Sequence, residues 1–488
     1  QNGDATGEAL LSLWIPREAP GRARMQLLAG LHDGRVDSVW RYVPLPSAGD
    51  DTLAWLKSAL REGRLAQGNF LYEGPLVDRP DDIPSRMQMR FDLEDATLAY
   101  APGWPELRKL QATVTLDNRH LQVQARQGQL YESITRNIVA DIPELNKPVL
   151  NVTADVDSTG DDIFRLFRDT PLRSDTGRIA SLMSVSGEVG GRLGLTIPLT
   201  DMSRARVKVE AELPGNPVIL REAAPFDLWL SGMVSYESGK GITSRPLNGF
   251  FLGQPLAVQF HSVMDDDDVV AVQIQADGMM TPASLKPWLG PLVQHMHGST
   301  RFKAFLAVPV KDDPVHVTVD SDLAGWYMNL PAPFGKQAEP VPLHFEIQLQ
   351  GGENLALLNL QDRLQSLFAV SGNRITRAQV QLGPGRITDL PPRGLWVRGR
   401  LDKLELDNWL SWLRPSSGRG EVDGNTFPEL QSFNLVVNEF YTGGYKLKNA
   451  RLGLEPDEES EQGWRLQLES DRIAGEAKLG RDLRSPVA

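Results

Sequence analysis

The chain has 488 residues, 41% of them apolar and 23% charged, with 51 basic against 63 acidic side chains for a net charge of −12. So much apolar mass excludes global disorder, and singly scattered Lys and Arg beside clustered acids argue against nucleic acid as a partner. The absence of cysteine excludes disulfides, thiolate zinc sites and cysteine nucleophiles.

Along the chain, no segment approaches 18 consecutive apolar residues, and Gln1 to Gly7 lacks the charged and apolar regions of a signal peptide. The expectation is therefore a soluble mature form or excised fragment. Asp50-Asp51 opens a short amphipathic helix carrying Leu53, Trp55, Leu56 and Leu60 and halted at Gly63. Strict alternation follows: Met87, Met89, Phe91 and Leu93 against Gln88, Arg90 and Asp92, then Leu121, Val123 and Ala125 against Gln122 and Gln124. Period 2 predicts strands with one apolar face, and the wet opposite face predicts antiparallel pairing. A second helix is predicted from Asp161-Asp162 through Ile163, Phe164, Leu166 and Phe167 to Pro171. Beyond it Val207, Val209, Ala211 and Leu213 alternate with Lys208, Glu210 and Glu212. The acids Asp265 to Asp268 lie between strand residues Val263 and Val269, so the reading preferred over a cation site is a solvated hairpin tip.

Val272, Ile274 and Ala276 begin the second half, and Thr281-Pro282 opens a third helical turn with Leu285, Trp288 and Leu289. Val315, Val317 and Val319, then Phe345, Ile347 and Leu349, continue the alternation. A fourth helix is predicted over Leu404 to Trp412, stopped by Pro415, and Trp464, Leu466 and Leu468 close the series. Turn clusters such as Asp117-Asn118, Glu237-Ser238-Gly239 and Gly351-Gly352 make the connections mostly hairpins.

With Trp55, Phe167, Trp288 and Trp409 as markers, the helices recur at 112, 121 and 121 residues. Gly187 to Leu199 also aligns with Gly298 to Val310 at a constant offset of 111, setting Leu195 on Leu306 and Pro198 on Pro309. Both patterns predict a strand-rich unit repeated about four times, as in solenoid-like proteins. The boundaries read as 1–66, 67–175, 176–295, 296–418 and 419–488, the first and last being partial units.

Chemistry-bearing motifs are sparse. No Gly-x-Ser-x-Gly elbow, Walker loop or dinucleotide fingerprint occurs, so no catalytic residue, cofactor or metal is expected. His295 and His297, two apart on one predicted strand face, lack a third ligand at zinc spacing. The pairs Asp155/Asp157 and Asp320/Asp322 raise glycoside hydrolysis, although strand-end and capping roles explain them more simply. The apolar strand faces fit two architectures: a closed sandwich of two sheets, or one curved sheet whose apolar face is an open groove for a greasy ligand.

Several segments resemble the YhdP family of AsmA-like proteins of Gram-negative bacteria. They are Gly68 to Leu76, Phe91 to Tyr100, Gly103-Trp-Pro-Glu-Leu107 through Tyr131, Phe167 to Leu172, Gly187 to Leu199, Leu230 to Tyr236 and Leu252 to Leu256. They occur in order between about Val39 and Gly480. The resemblance implies an elongated, twisted antiparallel sheet forming a U-shaped groove. That groove would carry phospholipids between inner and outer membranes, in the periplasm, as the soluble part of a protein anchored in the inner membrane. The family's transmembrane helix is missing here and the chain is shorter than usual, so it reads as an internal section of the groove.

The physics agrees with that expectation. At about 0.8 kcal/mol per methylene, exposing two acyl chains of about sixteen carbons would cost on the order of 25 kcal/mol, so transit needs a continuous apolar surface. Roughly 25 strands about 4.8 Å apart would supply one on the order of 120 Å long. Candidate lining residues for acyl chains are Met87, Met89, Phe91, Val207, Val209, Ala211, Leu213, Val317, Val319, Phe345, Ile347 and Leu349. A carbohydrate-active β protein and a scaffold for outer-membrane assembly are the competing expectations.

Overall fold

The structure is a computed structural model that describes residues 5–19, 22–42, 50–77, 84–201, 204–220, 228–266, 268–372, 374–413, 428–457 and 463–480. The strands are β1 (Thr6–Trp14), β2 (Arg24–Arg35), β3 (Leu60–Pro75), β4 (Arg86–Leu98), β5 (Leu107–Asp117), β6 (His120–Leu130), β7 (Ser133–Ile142), β8 (Val149–Thr159), β9 (Met183–Val185), β10 (Glu188–Pro198), β11 (Arg206–Leu220), β12 (Leu228–Glu237), β13 (Gly241–Ser244), β14 (Leu247–Phe251), β15 (Gln254–Asp265) and β16 (Asp268–Met280). They continue as β17 (Met296–Gly298), β18 (Thr300–Pro309), β19 (Val315–Ser321), β20 (Trp326–Met328), β21 (Leu343–Leu349), β22 (Asn354–Leu360), β23 (Leu364–Ser371), β24 (Arg374–Leu382), β25 (Gly394–Glu405), β26 (Leu430–Thr442), β27 (Tyr445–Pro456), β28 (Gly463–Glu469) and β29 (Ala474–Gly480). All but β17 and β20, which form a two-stranded ribbon, belong to one sheet of 27 strands. The predicted mainly β, mostly antiparallel class is what the chain adopts.

Two pairings depart from the expected hairpins: β24–β25 and β25–β26 are parallel. A parallel pair needs a crossover instead of a tight turn. The segments 383–393 and 406–429 supply that length.

Helices are few and short: α1 (Asp50–Ala59), α2 (Gly160–Asp169), α3 (Arg173–Leu182), α4 (Lys286–Leu289) and α5 (Leu406–Leu413), with 3-10 turns at Val36–Tyr42, Ala283–Leu285 and Gly290–His295. None of the described helices is long and apolar enough to cross a membrane. Each helical insertion interrupts the sheet between two strands, and the four begin at Val36, Gly160, Ala283 and Leu406, spacings of 124, 123 and 123 residues. The internally matching segments are β10 and β18, each the first long strand after an insertion. The helical expectations need correction in several places. The first helix ends at Ala59, so Leu60, expected on it, and Gly63, expected to halt it, both lie in β3. The N-cap of α2 is Thr159, whose side chain accepts from the Asp162 N–H, and Asp162 itself points elsewhere. The third helix is a single α-turn between 3-10 turns, because Pro282, Pro287 and Pro291 break the ladder. Helix α3, with few apolar residues to give it a period, went unpredicted. The side chains of Leu53 and Trp288, and residues Asp267 and Pro415, lie outside the described residues.

Contacts divide the chain into a first unit, Gln1–Glu222 with Trp229–Leu247 and His261–Val270, and a second, Ala223–Leu228 with Asn248–Phe260 and Ala271–Ala488. In the first, Val36, Val39, Leu65, Phe91, Leu93, Ala112, Ala125, Ile138 and Ala154 form a buried cluster. In the second, Leu401, Leu435, Val437, Phe440, Leu447 and Ala450 do so.

Candidate functional site

Residues paired directly across neighbouring strands share a face of the sheet, so the registers show what each face carries. In the first unit one rung runs Leu31, Gly68, Phe91, Val114, Val123, Ala140, Val152, Leu195 and Val207 across nine strands without a polar side chain. Its single glycine is dictated by space, since a Cβ at Gly68 would lie 2.9 Å from the Phe91 ring. One residue along, the rung on the reverse face reads His32, Gln67, Asp92, Thr113, Gln124, Val139, Thr153, Gly194, Lys208 and Glu237.

The second unit repeats the arrangement. Ala276, Ala304, Val319, Phe345, Leu358, Ser366, Val380, Val397, Phe433, Leu454, Leu466 and Ala477 form a rung across twelve strands, broken only by the Ser366 hydroxyl. The rung beside it on the reverse face carries Asp277, Lys303, Asp320, His344, Asn359, Gln365, Gln381, Arg398, Asn434, Gly453, Gln467 and Glu476.

Ten of the twelve candidate lining residues are only half-buried, and the other two, Phe91 and Leu213, are 7% and 9% exposed. In the first unit Met89 pairs with Phe70 and Leu116, Val207 with Leu195, and Val209 with Leu193 and Tyr236. In the second, Val317 pairs with Ile347, Val319 with Phe345 and Val315 with Leu349. A closed sandwich would bury such positions. Among the described residues the β17–β20 ribbon is the only second sheet. A concavity of about 640 Å3 lies over β1 to β5, lined by Ala9, Ala29, Phe70, Met89 and Leu116 together with Glu8, Asn69 and Arg90.

The crossover between β24 and β25 decides which face stays open. Gln365, Gln379 and Gln381 alternate with the apolar rung and therefore project from the polar face. Gln365 accepts from the Ile387 N–H (2.7 Å), and Gln381 donates to the Leu382 and Pro384 carbonyls (3.2 and 3.5 Å). The Gln379 amide, turned so that its nitrogen meets the Asp389 carbonyl (2.7 Å), takes the Arg398 guanidinium on its oxygen. The segment 383–393 thus runs over the polar side.

The helical insertions gather along one edge of each unit. In the first unit the Trp55 indole donates to the Tyr100 carbonyl (3.1 Å) in the β4–β5 loop. Asp162 is buried, accepting from the Ser133 hydroxyl (2.7 Å) and the Glu132 N–H (3.0 Å) in the β6–β7 turn, and Arg165 lies 3.9 Å over the Tyr131 ring. Burial, with Tyr131 alongside, pushes the Tyr100 hydroxyl up to about 12. In the second unit the Trp409 indole donates to the Ala332 carbonyl (3.0 Å) and packs edge-on to Phe334. Nothing in the sequence marked these hooks, because their acceptors are backbone carbonyls 45 and 77 residues away.

The other candidates occupy structural positions. Asp155 lies below the usual carboxylate range because the Asn137 amide donates to it (2.8 Å) and Arg192 stands beside it, while Asp157 pairs with Arg136. Asp320 meets His344 (2.7 Å), and Asp322 accepts from the Ala324 N–H two residues on (2.9 Å). His295 ends a 3-10 turn beside the Trp412 ring, contrary to its expected place on a strand, and His297 stacks on Tyr327 at 5.0 Å. Asp265 and Asp268 end and begin adjacent strands, as a hairpin tip requires.

Together these features define a class: a β-sheet protein of many strands with one face apolar and half-exposed, the other polar, and helical insertions at intervals. The family model described as YhdP protein matches residues 1–486, and the chain belongs to that family. Among curated proteins, the intermembrane phospholipid transporter YhdP of Escherichia coli (strain K12) is 25% identical over 335 residues. The aligned region covers 67% of this chain and 26% of that relative, so the chain spans about a quarter of the protein it resembles. No solved structure matches.

Proposed function

We propose that the apolar face is a non-enzymatic conduit for phospholipid acyl chains, part of a groove along which lipids pass between inner and outer membranes. The observation that carries this reading is the pair of apolar rungs, nine and twelve strands wide, whose residues stay half-exposed over most of their length. Water against such a strip is costly at about 25 cal/mol per Å2, and acyl chains are the natural cover. The name of the Escherichia coli relative, an intermembrane phospholipid transporter, supports the same reading. The groove is lined by Met87, Met89, Val207, Val209, Ala211, Val317, Val319, Phe345, Ile347 and Leu349, with Phe91 and Leu213 at its buried margin. The regular helical insertions divide it into about four repeats. The setting is the periplasm, where the segment forms part of a longer, inner-membrane-anchored protein that sustains the outer membrane's lipid barrier. Native mass spectrometry of the gently purified chain tests the proposal: bound phospholipid in stoichiometric amounts is expected, and a consistently empty protein refutes it.

A further inference from the structure

In the first unit the apolar face is not equally open along each strand. The half towards the β3–β4 and β5–β6 turns carries half-buried residues, among them Phe70, Met87, Met89, Leu121 and Val123, although Leu116 and Ile142 are buried there too. The half towards the helical insertions is closed: Leu65, Leu93, Ala112 and Ala125 are at most 8% exposed. The lid on that half is the turn Val36–Tyr42. Its valines at i and i+3 fall on one side of a 3-10 turn, and both join the buried cluster that holds these four residues. Alanines at 112 and 125 leave room beneath them.

From Met87 to Phe91, where burial begins, four steps of about 3.4 Å give an open depth of about 14 Å. Half the hydrocarbon core of a bilayer is about 15 Å. We infer that, in the conduit proposed above, acyl chains lie along the strands with head groups at the hairpin edge, and that Val36, Val39, Phe91 and Leu93 form a floor that selects acyl-chain length. The inference rests on the conduit reading and adds a specificity to it. A chain too long for the floor must leave methylenes in water, each worth about a fourfold loss of affinity.

The test is competition of synthetic phosphatidylethanolamines, of graded length from lauroyl to stearoyl, for the full chain, read by native mass spectrometry. The wild type is expected to show a sharp length optimum. Val39→Ala should move it to longer chains, changing the ratio of neighbouring lengths about fourfold per methylene. Val123→Phe, at a half-buried position two residues from the buried Ala125, should move it to shorter ones and suffices alone should Val39→Ala fail to fold. Lipid bound with one flat length profile in wild type and variants overturns the floor and leaves the conduit standing. No lipid bound to any of them overturns both.

Discussion

The stretch from β2 to β8 and the stretch from β24 to β26 reach the same two-faced sheet by different routes. The first is antiparallel throughout, and from β3 onward its strands follow one another by hairpins, which never cross a face, so alternation keeps it apolar on one side there. The second contains two parallel steps, each of which carries the chain back across the sheet. In the step whose path is described, the crossover lies on the polar side, tied down by Gln365, Gln379 and Gln381. One-sidedness comes free with hairpins. Where a strand runs parallel, specific hydrogen bonds must secure it.

The largest expected effect would break the likeness between the apolar faces of the two units. Val209→Asp and Ile347→Asp each put a charge on a half-buried rung, so lipid co-purification should fall at least about tenfold while circular dichroism stays β-rich; burying even part of a charge against acyl chains costs several kcal/mol. Unfolding of both variants would favour a closed core instead. Leu65→Ala, at a site 1% exposed, should lower stability by about 2 to 5 kcal/mol in denaturant titration without touching the second unit's face. Gln379→Ala sharpens the contrast directly. It frees the Asp389 carbonyl and the Arg398 guanidinium, should cost about 1 to 3 kcal/mol, and should raise hydrogen exchange over 383–393 with no change across β5 and β6.

Smaller effects follow at the helical edge. The Tyr100 hydroxyl, at about 12 in the folded chain against an ordinary 10, binds its proton more tightly when folded. Its contribution is therefore complete below pH 10 and lost as pH rises through about 12, at most about 2 kcal/mol. Tyr100→Phe should flatten that part of the alkaline melting profile. Trp409→Phe deletes one indole donor and should cost about 0.5 to 1.5 kcal/mol.

Much of this was legible from alternation. Met87 to Leu93, Val207 to Leu213 and Phe345 to Leu349 announce strands, faces and pairing mode, because a half-buried strand writes its environment every second residue. Short helices with strong apolar stripes, such as that around Phe164 and Phe167, were legible too. The parallel crossovers were not, since glutamines that bind a distant backbone look like any solvated glutamine. The closed half of the first unit was equally hidden: Ala112 and Ala125 alternate like their neighbours, and only the returning turn at Val36 and Val39 makes them core.

The helical insertions lie on one edge of each unit, and the strand count between them imposes an arithmetic. In the first unit six antiparallel strands, β3 to β8, bring the chain back to the edge it left. In the second, β18, β19 and β21 to β25 number seven, and an odd number of strictly alternating strands would deliver the last insertion to the wrong side. The parallel step at β24–β25 cancels the odd strand. A lineage that lengthens or shortens such a chain can therefore do so by pairs of strands at no topological cost, whereas a single strand gained or lost demands a compensating crossover.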